Sequence, residues 1–171
     1  MSSLSKGVRK AEVALKWDPS PLGEAAHDLD LVAAAYEQGA SDPAYVVHFD
    51  SRSPDGTIIL ARQSGTGQGF GADEVLTVEC DRLADRYDRV IVGVVAQQRH
   101  GRLVFGDVAN TGVKVTEGYT ELASYDLGEV AESTAAVLCS FGRDETGAWV
   151  FHGGLRGFDT DLEAFTGLMG R

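Results

Sequence analysis

The chain has 171 residues, 43% hydrophobic and 24% charged, with a formal net charge of −11. Such a length and composition suit one soluble globular domain whose core needs neither disulfides nor structural metal. The acidity speaks against a nucleic-acid surface, which needs a basic stripe to displace counterions. It leaves cations and basic partners open, beside the plainer reading that the charge serves solubility. No run approaches the length of a membrane span, so no membrane insertion is expected. The opening MSSLSKGVRK lacks the apolar stretch of a signal peptide, and a cytoplasmic location follows as the expectation.

Period-two alternation dominates the chain. From Ala11 to Trp17, the apolar Ala11, Val13, Leu15 and Trp17 share one strand face, and Glu12 and Lys16 the other. Leu29, Leu31, Ala33 and Ala35 alternate with Asp28 and Asp30 at the start of their segment. YVVHF (45–49), TIILA (57–61), VLTVEC (75–80), VIVGVVA (90–96), VKVT (113–116), ELASYDL (121–127), AAVLCSF (135–141) and WVFHGGL (149–155) also read as strands. SRSPDGT (51–57) and RDETGA (143–148) look like hairpin connections. CDRLADRYD (80–88) reads as a short helix. TDLEAFTGLM (160–169) reads as a better one, with Thr160 and Glu163 as its capping box and Leu162, Phe165, Leu168 and Met169 on one face. The fold class is therefore mainly β: a two-sheet β-sandwich with short helices, one of them C-terminal, over residues 1–171. Trp17, Leu31, Ile91, Val94 and Leu138 are expected in the core, with Cys80 and Cys139 as buried free thiols.

One loop stands out: QSGTGQGFGADE at 63–74, with glycine at positions 65, 67, 69 and 71. Gly67-x-Gly69-x-x-Ala72 matches a dinucleotide fingerprint by letters, but that fingerprint works between a strand and a helix. Here a strand pattern follows, so nucleotide binding is disfavoured. A cation fits the residues better. Calcium takes about six to eight oxygens, mixing carboxylates with carbonyls. Asp73 and Glu74 offer carboxylates, Gly67 and Gly69 offer backbone carbonyls, Asp28 and Asp30 share a strand face, and Asp18 follows the first strand. The competing reading is that acids at strand ends are simply solvated. His27, His48, His100 and His152 are scattered, with no nucleophile elbow or zinc-helix motif, so no catalytic constellation emerges.

These pieces, in order, resemble the TerD-like tellurium-resistance family, acidic β-sandwich modules that bind calcium. The resemblance runs through Leu4-Ser5-Lys6-Gly7, Trp17-Asp18, Asp28-Leu29-Asp30, Asp55-Gly56, Thr66-Gly67-x-Gly69-x-Gly71-x-Asp73-Glu74, Phe105-Gly106 with Val108, Tyr125-Asp126-Leu127 and Trp149. It implies a metal site drawn from Asp18, Asp28, Asp30, Asp73 and Glu74. The chain departs from the family loop at Arg62-Gln63-Ser64, Phe70 and Ala72, and at Ala26, so at least three carboxylates common in the family are missing. Affinity tracks ligand charge, so calcium is expected to be held weakly. The implied function is a calcium-linked scaffold of the tellurite-resistance and stress-response type, working with other proteins and not an enzyme. The alternative is a metal-independent interaction module on the same sandwich. A small hydrolase using Asp28, Asp30 and a histidine would need an open, water-bearing metal site.

Overall fold

The computed structural model describes residues 7–62 and 71–170. Most of the glycine loop, including Gln63, Gly67, Gly69 and Phe70, lies outside the described residues. The described chain forms ten strands, in order β1 (Ala11–Lys16), β2 (Leu29–Glu37), β3 (Tyr45–Val47), β4 (Ile58–Arg62), β5 (Glu74–Val78), β6 (Tyr87–Ala96), β7 (Gly112–Glu117), β8 (Thr120–Tyr125), β9 (Ala135–Arg143) and β10 (Trp149–Phe158). One α-helix follows, α1 (Leu162–Leu168).

The strands form two antiparallel five-stranded sheets. The first runs β4-β5-β1-β7-β8 and the second β10-β9-β6-β2-β3. Alternation decides which residues meet between them. On β1, Ala11, Val13 and Leu15 are buried and Glu12 is exposed; on β5, Leu76 and Val78 are buried while Val75 and Thr77 are partly exposed. The core fills the space between the sheets, and it includes Trp17, Leu31, Val94 and Leu138, each with no exposed surface. Ile91 is also buried but belongs to a second apolar cluster on the far side of the second sheet. There Phe165 of α1 and Met169 at its C-terminal cap pack on Val32, Ala34, Tyr36, Ile91, Val95 and Ala135. Gly93 makes this docking possible, since a Cβ there would stand 2.6 Å from the Phe165 ring. Gly7 is similarly required: its φ is +67°, and a Cβ would collide with the Trp149 carbonyl.

At one edge the sheets are joined by a hydrogen bond that the Gly154 N–H of β10 donates to the Tyr125 hydroxyl of β8, at 3.0 Å. Both cysteines are free and buried, and burial pushes each thiol up to about 12. Among the described residues no helix is long and apolar enough to cross a membrane.

The structure corrects three local readings. No α-helix forms over 80–88. A single 3-10 turn spans Cys80–Arg82, and Leu83 is already extended. The carbonyls that would continue a helix go to Arg143 instead: its guanidinium donates to Leu83, Ala84 and Tyr87 oxygens at 3.3, 3.2 and 2.8 Å. Residues 51–57 are not a hairpin, because β3 and β4 belong to different sheets. Helix α1 is capped by Asp161, whose carboxylate accepts from the Ala164 N–H at 2.9 Å. Thr160 is held elsewhere, donating to and accepting from the Thr134 hydroxyl at 2.7 and 2.8 Å. Leu168, at the margin of the helix stripe, is 37% exposed.

Candidate metal centre

The root of the glycine loop is built from β1 and β5. The ladder pairs Leu15 with Glu74, so the next step sets Lys16 opposite Asp73. The Asp73 N–H donates to the Leu15 carbonyl at 2.8 Å. Its carboxylate accepts from the Trp17 N–H at 2.9 Å, and the Lys16 ammonium lies 3.6 Å away. Only 1% of Asp73 is exposed.

Glu74 points the other way, into the sandwich with Leu76 and Val78. It is fully buried, and its carboxylate accepts from the Leu31 N–H of β2 at 2.7 Å. The position of that donor explains the contact. Strand β3 pairs with β2 only at Ala33–Ala35, so the Leu31 N–H lies beyond the last β2–β3 pair. A buried backbone donor must find an acceptor, and Glu74 reaches across from the other sheet to supply it. A carboxylate makes a stronger acceptor than a carbonyl in such a dry site.

Asp28 and Asp30 stand at the opening of β2. Leu29 and Leu31 face the first sheet, so alternation turns Asp30 outward with Val32 and Ala34. Asp30 is fully buried and accepts from the Gln97 side-chain amide at 2.7 Å. Asp28 is 7% exposed, and the half-exposed Arg99 guanidinium lies 3.4 Å from it. Its backbone carbonyl accepts from the Gln97 N–H at 2.9 Å. Asp18 sits past the end of β1 and accepts from the Asn110 side-chain amide at 2.5 Å. Between these groups lies Trp17, whose ring N–H donates to the His27 carbonyl at 3.0 Å. A cleft of about 560 Å³ opens beside Asp28 and is lined in part by His27, Gln97, Arg99 and Arg102. Near β2, burial lowers the pKa of His48, with the Asp50 and Asp30 carboxylates working against that shift.

Carboxylate oxygens are the donors that calcium takes, but the described residues alone do not make its cage. Among them no group of three or more His, Cys, Asp or Glu side chains is arranged to hold a metal ion. Asp30 faces outward on one sheet, while Glu74 enters between the two. Asp73 and Glu74 flank the loop root together; Asp28 and Asp30 are linked through Gln97, and Asp18 stands with Asn110. The backbone candidates Gly67 and Gly69 lie outside the described residues. The partners Lys16, Gln97, Arg99 and Asn110 were not singled out by sequence. None carried a local signal: even Lys16 meets Asp73 only because β1 pairs with the non-consecutive β5.

Comparison with known proteins places this architecture. The TerD domain model matches residues 1–167. The tellurium resistance protein TerD of an Alcaligenes species is 28% identical over 157 residues, covering 88% of this chain and 82% of that protein. Two solved structures superpose with TM-scores of 0.93. One is a protein of unknown function, SAV2460, 56% identical, covering 96% of this chain and 98% of that one. The other is a homologue of the telluride resistance protein TerD, SCO6318 from Streptomyces coelicolor A3(2), 49% identical, covering 96% and 99%.

Proposed function

The chain belongs to the TerD family, and on that premise we propose that it is a non-enzymatic binding protein of the tellurite-resistance and stress-response type. In this reading it is cytoplasmic, acts through contacts with other proteins of a stress-response assembly, and holds calcium weakly at the 63–74 loop. The observation that carries the calcium part is the anchoring of the loop root. Asp73 is bonded to β1 through Leu15 and to Trp17 just past its end, and Glu74 to β2 through Leu31. A cation drawn to that root would therefore act on both sheets at once. Asp73 and the carbonyls of Gly67 and Gly69 would contribute oxygens, while Glu74, buried between the sheets, would anchor the root.

The missing carboxylates set the expected strength. A dissociation constant of roughly 1 mM lies at the weak end of the calcium range. At about 1 mM calcium, half-saturation stabilises by only ~0.4 kcal/mol, a melting shift of about 1 °C for a chain of this size. The test is thermal melting in calcium and in chelator, on the wild type and on a variant carrying Gln63→Asp, Phe70→Asp and Ala72→Asp. The variant should bind more tightly and be less stable without metal, because like charges then crowd one loop. No calcium-dependent shift in that variant would remove calcium from the account of this loop.

A second reading is supported by the partners of the carboxylates. Each of Asp18, Asp28, Asp30, Asp73 and Glu74 already has a nitrogen donor or cation from the chain beside it. A metal-independent interaction module is the function that this arrangement favours. It predicts equal partner binding in calcium and in chelator.

A further inference from the structure

Asp73 and Glu74 are adjacent, and both are almost wholly buried. They face opposite sides of β5, and a buried carboxylate on either side is costly unless hydrogen-bond donors or positive charge meet it. A bound cation is one source of that charge. This chain carries another. Lys16, which the β1–β5 register sets opposite Asp73, brings its ammonium to 3.6 Å from the carboxylate while 39% of its side chain stays in solvent. The start of β2 repeats the arrangement. Asp28 has a 10% exposed side chain, and Arg99 reaches it from the segment after β6 with its own side chain 52% exposed. In both pairs a buried acid meets a base whose side chain is partly in water, so the base gives up only part of its hydration to reach it.

We propose that Lys16 and Arg99 are built-in counter-ions: they neutralise Asp73 and Asp28 in the metal-free chain, hold the loop root and the start of β2 closed without a cation, and oblige any cation to compete with them. The proposal goes beyond the calcium reading, since it stands whether or not the loop binds calcium. It accounts for two features together. The two acids are paired with bases from β1 and from the segment after β6. Asp18, Asp30 and Glu74 also accept hydrogen bonds, from Asn110, Gln97 and the Leu31 backbone, so no acid of the set depends on a bound cation for a partner.

The experiment is thermal melting of the whole chain in EDTA, for the wild type, Lys16→Met, Lys16→Arg, Asp73→Asn and the Lys16→Met/Asp73→Asn pair. Methionine keeps the apolar stem and removes the charge. Lys16→Met should lower the melting temperature by about 2–4 °C, and Lys16→Arg should recover most of it. The gap between wild type and Lys16→Met should narrow in about 1 M salt, where exposed charge is screened. The double variant should fall no further than Asp73→Asn alone, because both changes break one pair. Arg99→Met should show the same salt-sensitive loss at smaller size. Lys16→Met melting with the wild type, or Lys16→Arg falling as far as Lys16→Met, overturns the proposal. Should Asp73→Asn not fold, the methionine, arginine and salt comparison decides alone. Calorimetric titration with calcium then separates the two ideas. Lys16→Met should bind calcium severalfold more tightly than the wild type, and equal binding by both overturns the competition. If neither binds calcium, the calcium reading falls, and the EDTA measurements still judge the counter-ions.

Discussion

The two sheets differ in what covers their outer faces. The second sheet is buried on both sides: one face meets the first sheet, and the other carries α1 through Phe165 and Met169. The first sheet has no such helix among the described residues. Its outer face presents the exposed Glu12 and Lys114 with the half-buried Ala14, Val75 and Thr77, and Ile59 at the β4 edge is 48% exposed. The lesson is that a strand's composition reports how many of its faces are covered. Strand β2 is buried from Leu29 to Tyr36 and β6 from Val90 to Ala96, and both are almost continuously apolar. Strands β1, β5 and β7 alternate instead.

Substitutions on the two outer faces should separate sharply. Phe165→Ala removes the ring that seats α1 and should cost ~3–5 kcal/mol in urea unfolding. A loss under about 1 kcal/mol would mean that α1 contributes little and the second sheet is no better covered than the first. Leu138→Ala, in the interior that both sheets share, should cost ~2–5 kcal/mol. A value below about 1 kcal/mol would place Leu138 at the periphery.

Smaller effects sharpen the same contrast. Gly93→Ala should cost ~1–3 kcal/mol from overpacking against the Phe165 ring and the Ala136 carbonyl. Combined with Phe165→Ala it should cost less than the sum, since one of the two groups it strikes is gone; strict additivity would contradict the close approach to the ring. Valine to threonine then gives a matched pair. Val95→Thr, beneath α1, buries a hydroxyl and should cost ~1–3 kcal/mol. Val75→Thr, on the uncovered face, should stay within about 0.5 kcal/mol. Equal losses at the two positions would erase the distinction between the faces.

Much of this fold was legible because alternation is a local property. All ten strands fall on segments that alternate or run apolar, and the five named core residues are buried. The misreadings arose where a distant group overrode a local pattern. Arg143 took the carbonyls that a helix over 80–88 would have used. Thr134 held Thr160, leaving Asp161 to cap α1. Strand β9 shows a subtler override. Its register with β6 shifts at Leu138, so Leu138 and Cys139, though consecutive, both join the main core. Strict alternation would have sent one of them outward.

The candidate site divides in the same way. The sequence by itself determined that glycines and acids would gather in one loop and that the protein would be a β-sandwich. Residue type and period-two spacing are enough for that. Only the tertiary structure decided what the acids do. It turned Glu74 inward to the Leu31 N–H where β3 stops short, brought Gln97 and Arg99 back onto Asp30 and Asp28, and set Asn110 on Asp18. These partners lie 43, 67, 71 and 92 residues apart in the chain. No local pattern encodes such pairings, because they arise only when two sheets close and each buried donor and charge must find its complement.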